Sequence, residues 1–462
     1  MKDQCSNGLQ ALFHNPDVAT GSLGELLNHS SALLCKWLAD APNHGPRPGL
    51  IVQPLAEPDV AGMQIDELWR DLSSLMDGAY RPNHPGALAH LDPPALNVSI
   101  CADLIAAGLN NNLLAEELSP SLSRLERGLC SWMARQIGLG ANASGVPASG
   151  GSLSNLMALT CARRAANLQG RCDGVVLTGA GSHVSLNKAL AVMGMEPDCL
   201  WRLPLDPEGR LLPAVLADAL DRANQLGLPI LAVVATAGTT VQGVVDPLRQ
   251  MAALCKAAGV WLHVDGAIGG VCALVDSQRW RVDGIELADS VSLNPQKLLG
   301  VSKPSSLLLL QDPNHLRTCF STGLPYMEQA TADHGGELGI QGTRGAEVLK
   351  LWMSLQYLGL EGIEKILEGA FLRARSLRSL LEPLPLHLLA GDLHLLSFNS
   401  AAASADEQIN WRNRCHKQLL ESGFWLSKPD WRDLPLLKAV LGNPFTSAMH
   451  LEQLAAIISR SL

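Results

Sequence analysis

Two apolar stretches of the chain each end in a side chain that could do chemistry. Residues 288–297 form a short apolar segment and a polar turn that ends at Lys297, and residues 260–265 form an apolar run that ends at Asp265. Because the carboxyl ends of neighbouring parallel strands meet at one edge of a sheet, we expect the two side chains to lie close together. A lysine amine can bond covalently to an aldehyde, and a carboxylate can hold a proton on a ring nitrogen. The pair is therefore typical of enzymes that use pyridoxal 5'-phosphate.

A glycine–serine turn precedes these stretches and could bind a phosphate. Residues 148–155 contain Gly151 and Ser152 and lead into a strongly helical segment. The free N–H groups and the dipole at a helix start favour a bound anion. An ordinary helix N-cap would use the same residue types, so both interpretations stay open for this turn.

The segments around these residues predict a parallel sheet. Fully apolar strands alternate with helices, which is typical of a sheet that is covered on both faces. Predicted strands lie at 175–177, 199–203, 230–235 and 260–265, a further buried strand at 307–310, and predicted helices at 184–193, 212–226 and 247–258. Polar residues gather at the strand ends, where such sheets bind ligands. They are Thr240, Asp265 and Lys297.

The flanking regions predict a three-part organisation. We expect an N-terminal helical arm at 1–80, a large domain at 81–342 and a small C-terminal α+β domain at 343–462. The arm either caps this chain or packs on a second subunit. Within the small domain we expect a helix over 346–381 and strands at 393–398, 423–426 and 436–440. Residues 319–342 have little apolar periodicity and form either a mobile lid or a static connection.

Bulk composition limits the possible partners. The chain has 462 residues, 47% of them hydrophobic, with a net charge of -9 and no basic block, which argues against nucleic acid and anionic membranes. None of its apolar runs reaches the ~20 residues of a membrane span. The 11 cysteines show neither CxxC pairs nor zinc-like spacing, so we expect no metal site. With no signal peptide after Met1, we expect reduced thiols and a cytoplasmic protein.

Five short motifs occur in an order that resembles the group II pyridoxal phosphate decarboxylases, which include the aromatic amino acid, glutamate, cysteine sulfinate and 2,4-diaminobutyrate decarboxylases. They lie at residues 149–152, 181–185, 236–240, 263–267 and 294–297. The resemblance covers about residues 80–352 and returns at 437–444. It implies an α/β fold of type I, like aspartate aminotransferase, and a homodimer with sites at its interface. The implied reaction is α-decarboxylation of an L-amino acid to an amine.

The resemblance also implies roles for individual residues. Lys297 would hold the cofactor covalently, Asp265 would pair with its pyridine nitrogen, and His183 would stack on the ring as a candidate for proton transfer. Three further residues would bind the phosphate: Gly151, Ser152 and Asn294. Thr240 would lie near the ring hydroxyl, and Ala267 would pack on the ring face.

Substrate and proton-transfer candidates come from two loops. In the family a loop tyrosine protonates the carbon left by decarboxylation, and Tyr326 is the tyrosine of the 319–342 segment. The loop that contains His84 and His90 would line the substrate pocket. A diamine precursor would favour a carboxylate there, for which Asp92 is a candidate, whereas an acidic substrate would favour a cation.

Several positions depart from the family pattern. Gln296 stands where the family usually has histidine, and Leu298 where it has an aromatic residue; Gly266, Ile268 and Gly345 also depart from the family pattern. Glutamine can hydrogen-bond but cannot carry a proton as histidine does. Two alternatives to decarboxylation therefore stay open. One is another carbon–carbon or carbon–sulfur lyase or an aldehyde-forming deaminase, and the other is a catalytically weakened dimer that binds the cofactor.

Overall fold

The N-terminal part of the chain is helical. The computed structural model describes residues 13–14, 17, 21–49, 57–58, 60–325, 327 and 334–462. Its first helices are α1 Gly21–Ala39, α2 Ala41–His44, α3 Ile65–Asp77, α4 Asn97–Leu109 and α5 Pro120–Gln136. The rings of His29 in α1 and Trp69 in α3 stack with centroids 4.5 Å apart. Neither α1 nor α3 contains a buried residue, so the described residues give their apolar side chains little cover.

A seven-stranded sheet forms the centre of the molecule. Its strands are β1 Ser144–Ala148, β2 Val175–Gly179, β3 Leu200–Leu203, β4 Ile230–Thr236, β5 Leu262–Gly266, β6 Ser290–Leu293 and β7 Ser306–Leu310. The spatial order is β1-β7-β6-β5-β4-β2-β3. β3, β2, β4, β5 and β6 are mutually parallel, whereas β7 pairs antiparallel with both β6 and β1. The predicted α/β fold with a mostly parallel sheet is therefore confirmed.

Helices cover both faces of this sheet. They are α6 Gly151–Ala165, α7 Ser185–Val192, α8 Pro213–Gln225, α9 Leu248–Ala258, α10 Asp276–Arg279 and α11 Asn314–Phe320. On one face Val176 packs with Leu159 of α6 and Leu186 of α7. On the other face the neighbouring strand residues pack with α8 and α9, among them Leu177 with Leu216. This alternation follows from the two-residue period of a strand and explains why the strands are apolar throughout.

The C-terminal region forms a smaller α+β unit. Its elements are α12 Val348–Leu381, β8 Leu386–Leu388, β9 Leu395–Ser400, α13 Ala405–Glu421, β10 Asp430–Trp431, β11 Leu434–Pro435, β12 Leu437–Val440 and α14 Ala448–Ser461. β12, β9 and β8 form an antiparallel sheet. Gly359 interrupts α12 with φ 60°, a backbone conformation that favours glycine. The core of this C-terminal unit includes Phe398, Trp411 and also Leu88, which comes from the loop before α4.

Two secondary-structure predictions differ from the structure. Residues 423–426 form no strand, since only Trp425 makes an isolated bridge, to Ala87. β1 was not expected, because its sequence Ser-Gly-Val-Pro-Ala lacks a β-branched alternating pattern. Pairing with the apolar strand β7 outweighs this weak local preference. At Gly145 an added Cβ would lie 2.1 Å from the carbonyl oxygen of Leu308, so the close approach of the strands requires glycine there.

Candidate active site

A cavity of about 430 Å³ opens at the carboxyl ends of the central strands. The eight residues that the sequence assigned to the cofactor all line it: Gly151, Ser152, His183, Thr240, Asp265, Ala267, Asn294 and Lys297. They come from the turn before α6, from the loop before α7 and from the ends of β4, β5 and β6. The parallel strand order explains the convergence, because it brings these ends to one edge of the sheet.

Asp265 lies near the end of β5 and is surrounded by donors. Its Oδ2 accepts a hydrogen bond from Asn155 Nδ2 at 2.9 Å, and its Oδ1 accepts from Ala267 N at 3.2 Å and from Ser292 Oγ at 3.3 Å. Burial works against ionisation of this carboxyl group, but the charge of Lys297 and the bond from Asn155 outweigh it and keep the pKa of Asp265 below its ordinary value. The site therefore holds an ionised carboxylate at its inner end.

Lys297 is held in the turn that follows β6. Its backbone N–H donates to Asn294 O at 3.0 Å, and the side chain lines the cavity. Burial lowers the pKa of its amine, and the attraction of Asp265 offsets this only in part. A lowered pKa increases the fraction of neutral amine, which is the form that attacks an aldehyde.

The turn at the start of α6 fits a phosphate. A Cβ added at Gly151 would lie 3.0 Å from the side-chain amide of Asn294 and 3.6 Å from Ala267 Cβ, so a side chain there would crowd the cavity wall. The amide N–H of Asn294 donates to Ser306 Oγ at 2.7 Å and its Oδ1 accepts from Gly151 N at 3.3 Å, which fixes its position. The helix start adds N–H groups and the positive end of its dipole. With Asp265 at the opposite end, the donor set fits pyridoxal phosphate.

His183 and Thr240 lie on the walls of the cavity. His183 Nδ1 accepts a hydrogen bond from Ser185 N at 3.2 Å, which leaves Nε2 to carry the proton of the neutral ring. The surrounding protein lowers the pKa of His183 by displacing water, and Asp265 opposes the effect. Thr240 accepts a hydrogen bond at its backbone carbonyl from Lys438 Nζ, at 3.2 Å.

The sequence did not assign roles to two buried groups at this site. Asn155 is 1% exposed and lines the cavity, one helical turn after Gly151 on the same side of α6; that spacing was a usable signal. Lys438 is 7% exposed, and burial lowers its pKa to about 8. A lysine within the apolar run at 436–441 was a second signal, because lysines are seldom buried without a reason.

Two of the departures from the family pattern, at Gln296 and Gly266, have structural explanations. Gln296 Oε1 accepts a hydrogen bond from Ser305 N at 2.6 Å and so closes the connection between β6 and β7, while the residue also lines the cavity. A Cβ added at Gly266 would lie 2.8 Å from Ser292 O, so glycine suits the close strand packing there. Arg344 makes a bidentate pair with Glu126 at 2.6 and 2.8 Å.

The proposed substrate residues lie outside the cavity wall. The ring of His90 packs edge-on against Trp425 with centroids 5.1 Å apart. His84 Nδ1 accepts from Gly86 N at 2.9 Å, which stabilises a turn. Asp92 forms an ion pair with Lys303. The assignment of the two histidines to the substrate stays a prediction.

Tyr326 lies outside the described residues. Among the described residues of the 319–342 segment, Glu337 holds its start: the carboxylate accepts from Thr322 N at 2.9 Å, from Thr322 Oγ1 at 2.9 Å and from Gly323 N at 2.8 Å, and also from Ser321 Oγ. Among the described residues no group of three or more His, Cys, Asp or Glu side chains could hold a metal ion. None of the described helices has the length and hydropathy to span a lipid bilayer.

Several known proteins are similar to this chain in sequence or in fold. L-2,4-diaminobutyrate decarboxylase of Rhizobium meliloti (strain 1021) is 34% identical over 62% of this chain and 58% of its own length. The acidic amino acid decarboxylase GADL1 of Mus musculus is 30% identical over 68% and 60%. The chain thus spans about three fifths of these two relatives. The solved structure of Oryza sativa TDC with PLP and tryptamine superposes with a TM-score of 0.90 at 21% identity and covers 97% of this chain and 99% of that one.

The match to a family model covers the whole sheet and the cavity. The model, described as the pyridoxal-dependent decarboxylase conserved domain, matches residues 54–392. Its description agrees with the cofactor predicted from Lys297 and Asp265, and pyridoxal phosphate is confirmed as that cofactor. Since the match extends over well more than half of the sequence and includes every residue that lines the cavity, the chain belongs to the pyridoxal-dependent decarboxylase family.

Proposed function

We propose that the protein is a carboxy-lyase that uses pyridoxal phosphate to remove the α-carboxylate of an L-amino acid as carbon dioxide and to release the corresponding amine. One observation carries the proposal: Lys297, Asp265 and the helix start at Gly151 converge on a single cavity. The similar proteins are named as decarboxylases of diaminobutyrate and of acidic amino acids, which supports the reaction class.

Each residue has a task in this proposal. The bound cofactor supplies an electron sink for the charge left when carbon dioxide departs. Lys297 Nζ would hold the cofactor covalently. Asp265 Oδ2 would hold a proton on the pyridine nitrogen. His183 would stack on the ring, with Nε2 as the candidate proton donor. Tyr326 is the proposed acid that protonates the product carbon.

The remaining residues bind and orient. Gly151, Ser152 and Asn294 would form the phosphate site, in which the helix start supplies backbone N–H donors such as that of Ser152 and Asn294 holds the turn through Gly151 N. Ala267 would pack on the ring face and Thr240 would contact the ring hydroxyl. His84 and His90 are kept as candidates for the substrate wall.

We also propose a cytoplasmic homodimer in which 1–80 is an arm, 81–342 the large domain and 343–462 the small domain. The arm supports the dimer, because α3 exposes Leu68 by 48%, Leu72 by 37% and Leu75 by 37%. Large exposed apolar faces of this kind usually contact another surface. The free thiols of the described cysteines support a reducing compartment. Analytical ultracentrifugation of the full chain and of a chain lacking 1–80 tests the arm: a dimer is expected only with it.

One set of assays tests the reaction. The purified protein is loaded with pyridoxal phosphate, and carbon dioxide, amine, aldehyde and ammonia are measured over a panel of acidic, diamino and aromatic L-amino acids. We expect carbon dioxide and amine in equal amounts from one substrate class. In Lys297→Ala the visible absorbance of the lysine-linked cofactor should disappear, whereas Lys256→Ala, which removes an exposed lysine of α9, should keep it.

The other outcomes distinguish the alternatives. Carbon dioxide accompanied by aldehyde and ammonia would indicate an oxidative deaminase. The absorbance without any product would indicate a dimer that binds the cofactor without catalysis. An absorbance that persists in Lys297→Ala would contradict the assignment of the lysine and with it the proposed function.

A further inference from the structure

We propose that His263 is a positioning residue that acts through Asn155 to keep Asp265 as an ionised hydrogen-bond acceptor for the pyridine nitrogen. The inference rests on the proposed role of Asp265 and adds the buried side chains that maintain it. His263 lies two residues before Asp265 in β5, so its side chain points to the same face of the sheet. It is completely buried, as 0% of its surface is exposed.

A continuous chain of hydrogen bonds joins the two side chains. Asn155 Nδ2 lies 2.9 Å from Asp265 Oδ2, and Asn155 Oδ1 lies 3.0 Å from His263 Nε2. On the other side of the ring, His263 Nδ1 lies 2.9 Å from Ser290 Oγ. Trp261 Nε1 donates to the same hydroxyl oxygen at 2.9 Å. The chain thus runs from an indole N–H to the carboxylate through three buried side chains.

The chemistry of the carboxylate end determines the direction of the bonds. Ionised Asp265 can only accept, so Asn155 Nδ2 donates to it and Asn155 Oδ1 accepts from His263 Nε2. The neutral ring then accepts at Nδ1 from the hydroxyl of Ser290. Ser290 Oγ in turn accepts from the indole of Trp261, which can only donate. Burial lowers the pKa of His263 to about 4, so the ring is neutral at physiological pH, as this arrangement requires.

His263 is needed because the other neighbour of the amide does not select its orientation. Asn155 Nδ2 also lies 2.9 Å from Ser185 Oγ. A hydroxyl can donate or accept, so Ser185 would tolerate either orientation of the amide. If the amide turned over, its carbonyl oxygen would face Asp265, and two acceptors in contact would favour the protonated carboxyl group.

The count of acceptor positions leaves room for one ligand bond. An ionised carboxylate offers about four acceptor positions. Ala267 N and Ser292 Oγ occupy those of Oδ1, and Asn155 Nδ2 occupies one of Oδ2. The remaining position on Oδ2 is left for the protonated ring nitrogen. The other titratable groups near Asp265 are Lys297, across the cavity, and His183 at its wall.

The experiment observes the ring nitrogen directly. Wild type and variants are loaded with pyridoxal phosphate carrying ¹⁵N in the ring, and the ¹⁵N chemical shift is followed over pH together with the Kd of the apo-protein for the cofactor. His263→Phe keeps the ring size and removes both nitrogens, whereas His263→Gln retains an N–H for Asn155. His416→Phe is the matched control, since His416 is a buried histidine of the small domain whose ring contacts Leu426 O at 3.0 Å.

We expect the ring nitrogen to be protonated in wild type, His263→Gln and His416→Phe. In His263→Phe it should lose its proton at a pH at least one unit lower, and the Kd should rise at least tenfold. Equal titrations and Kd values in wild type and His263→Phe would overturn the inference. If His263→Phe does not fold, Ser290→Ala replaces it, because it removes the hydroxyl that donates to His263 Nδ1, and unchanged values there would be equally decisive.

Failure of the proposed function has a different signature. In that case the ring nitrogen of wild type would already be unprotonated, or Asp265→Asn would titrate as wild type does. If the ring nitrogen is protonated in wild type and in His263→Phe but deprotonated in Asp265→Asn, the proposed function stands and only the role of His263 is rejected.

Discussion

Glu337→Gln should release the start of the 319–342 segment. The carboxylate of Glu337 accepts from the backbone N–H groups of Thr322 and Gly323 and from the hydroxyls of Ser321 and Thr322. Burial opposes its ionisation, but these donors outweigh it and hold the pKa of Glu337 at about 2. The carboxylate thus joins the two ends of the segment that contains Tyr326, the proposed acid.

The size of the effect follows from the number of donors. A hydrogen bond to a charged group contributes about 1.5–3 kcal/mol. Glutamine keeps one acceptor oxygen but loses the charge. Its NH₂ group would face some of these N–H and O–H donors, and it cannot accept a hydrogen bond from them. We therefore expect a loss of about 2–4 kcal/mol in the free energy of local opening, which corresponds to about 30- to 1000-fold faster exchange.

Hydrogen–deuterium exchange at the Thr322 and Gly323 amides measures this opening. Because the folded pKa lies below the ordinary value of 4.5, the contribution of Glu337 is complete above that value and is lost only as the pH falls through about 2. Measurements near neutral pH therefore contain no titration of this group. Glu117→Gln, at an exposed glutamate before α5, is the control. Exchange within about threefold of wild type in Glu337→Gln would refute the reasoning.

Three further predictions concern the site and its supports. Gly151→Val should weaken binding of both pyridoxal phosphate and inorganic phosphate at least tenfold in equilibrium titrations, because its Cβ would lie 3.0 Å from the side-chain amide of Asn294. Unaltered affinities would exclude the phosphate site. Arg344→Met should lower the unfolding temperature by leaving the buried Glu126 carboxylate unpaired at a cost of about 3–5 kcal/mol, and the double variant with Glu126→Met should recover most of it in calorimetry. Because the pKa of Lys438 is about 8 in the folded protein and 10.5 in the unfolded chain, the unfolded chain binds more protons than the folded protein between these pH values. The stability of wild type should therefore rise over this range relative to that of Lys438→Met. Thermal-inactivation profiles that run parallel for the two proteins would contradict this.

The sequence predicted the residues whose position depends on local pattern. Lys297 and Asp265 follow apolar strands, and Gly151 opens a helix, so each could be placed at a strand or helix end without knowledge of distant contacts. Since parallel strands place these ends together, their convergence also followed. The 423–426 prediction was wrong because an apolar run pairs as a strand only where a neighbour offers a free edge, and there only Trp425 makes a bridge.

The residues that the sequence missed act through partners far along the chain. Asn155 contacts Asp265 across 110 residues, and Lys438 contacts Thr240 across 198. An asparagine in a helix or a lysine in a strand carries no local sign of its partner, because hydrogen bonding depends on position in space rather than on order in the chain. The structure alone thus places Asn155 in the cavity wall and Lys438 against the carbonyl of Thr240.

By itself the sequence determined the strand–helix alternation, the cofactor and the residues at the strand ends, because hydrophobic period and turn chemistry are local properties. Only the tertiary structure decided that β7 and β1 run antiparallel at one side of the sheet and that a second buried amine lies near Lys297. It also decided that His263 faces Asn155 rather than the cavity. These features depend on how separate segments pack, and packing balances burial against the hydrogen bonds that each polar group must keep.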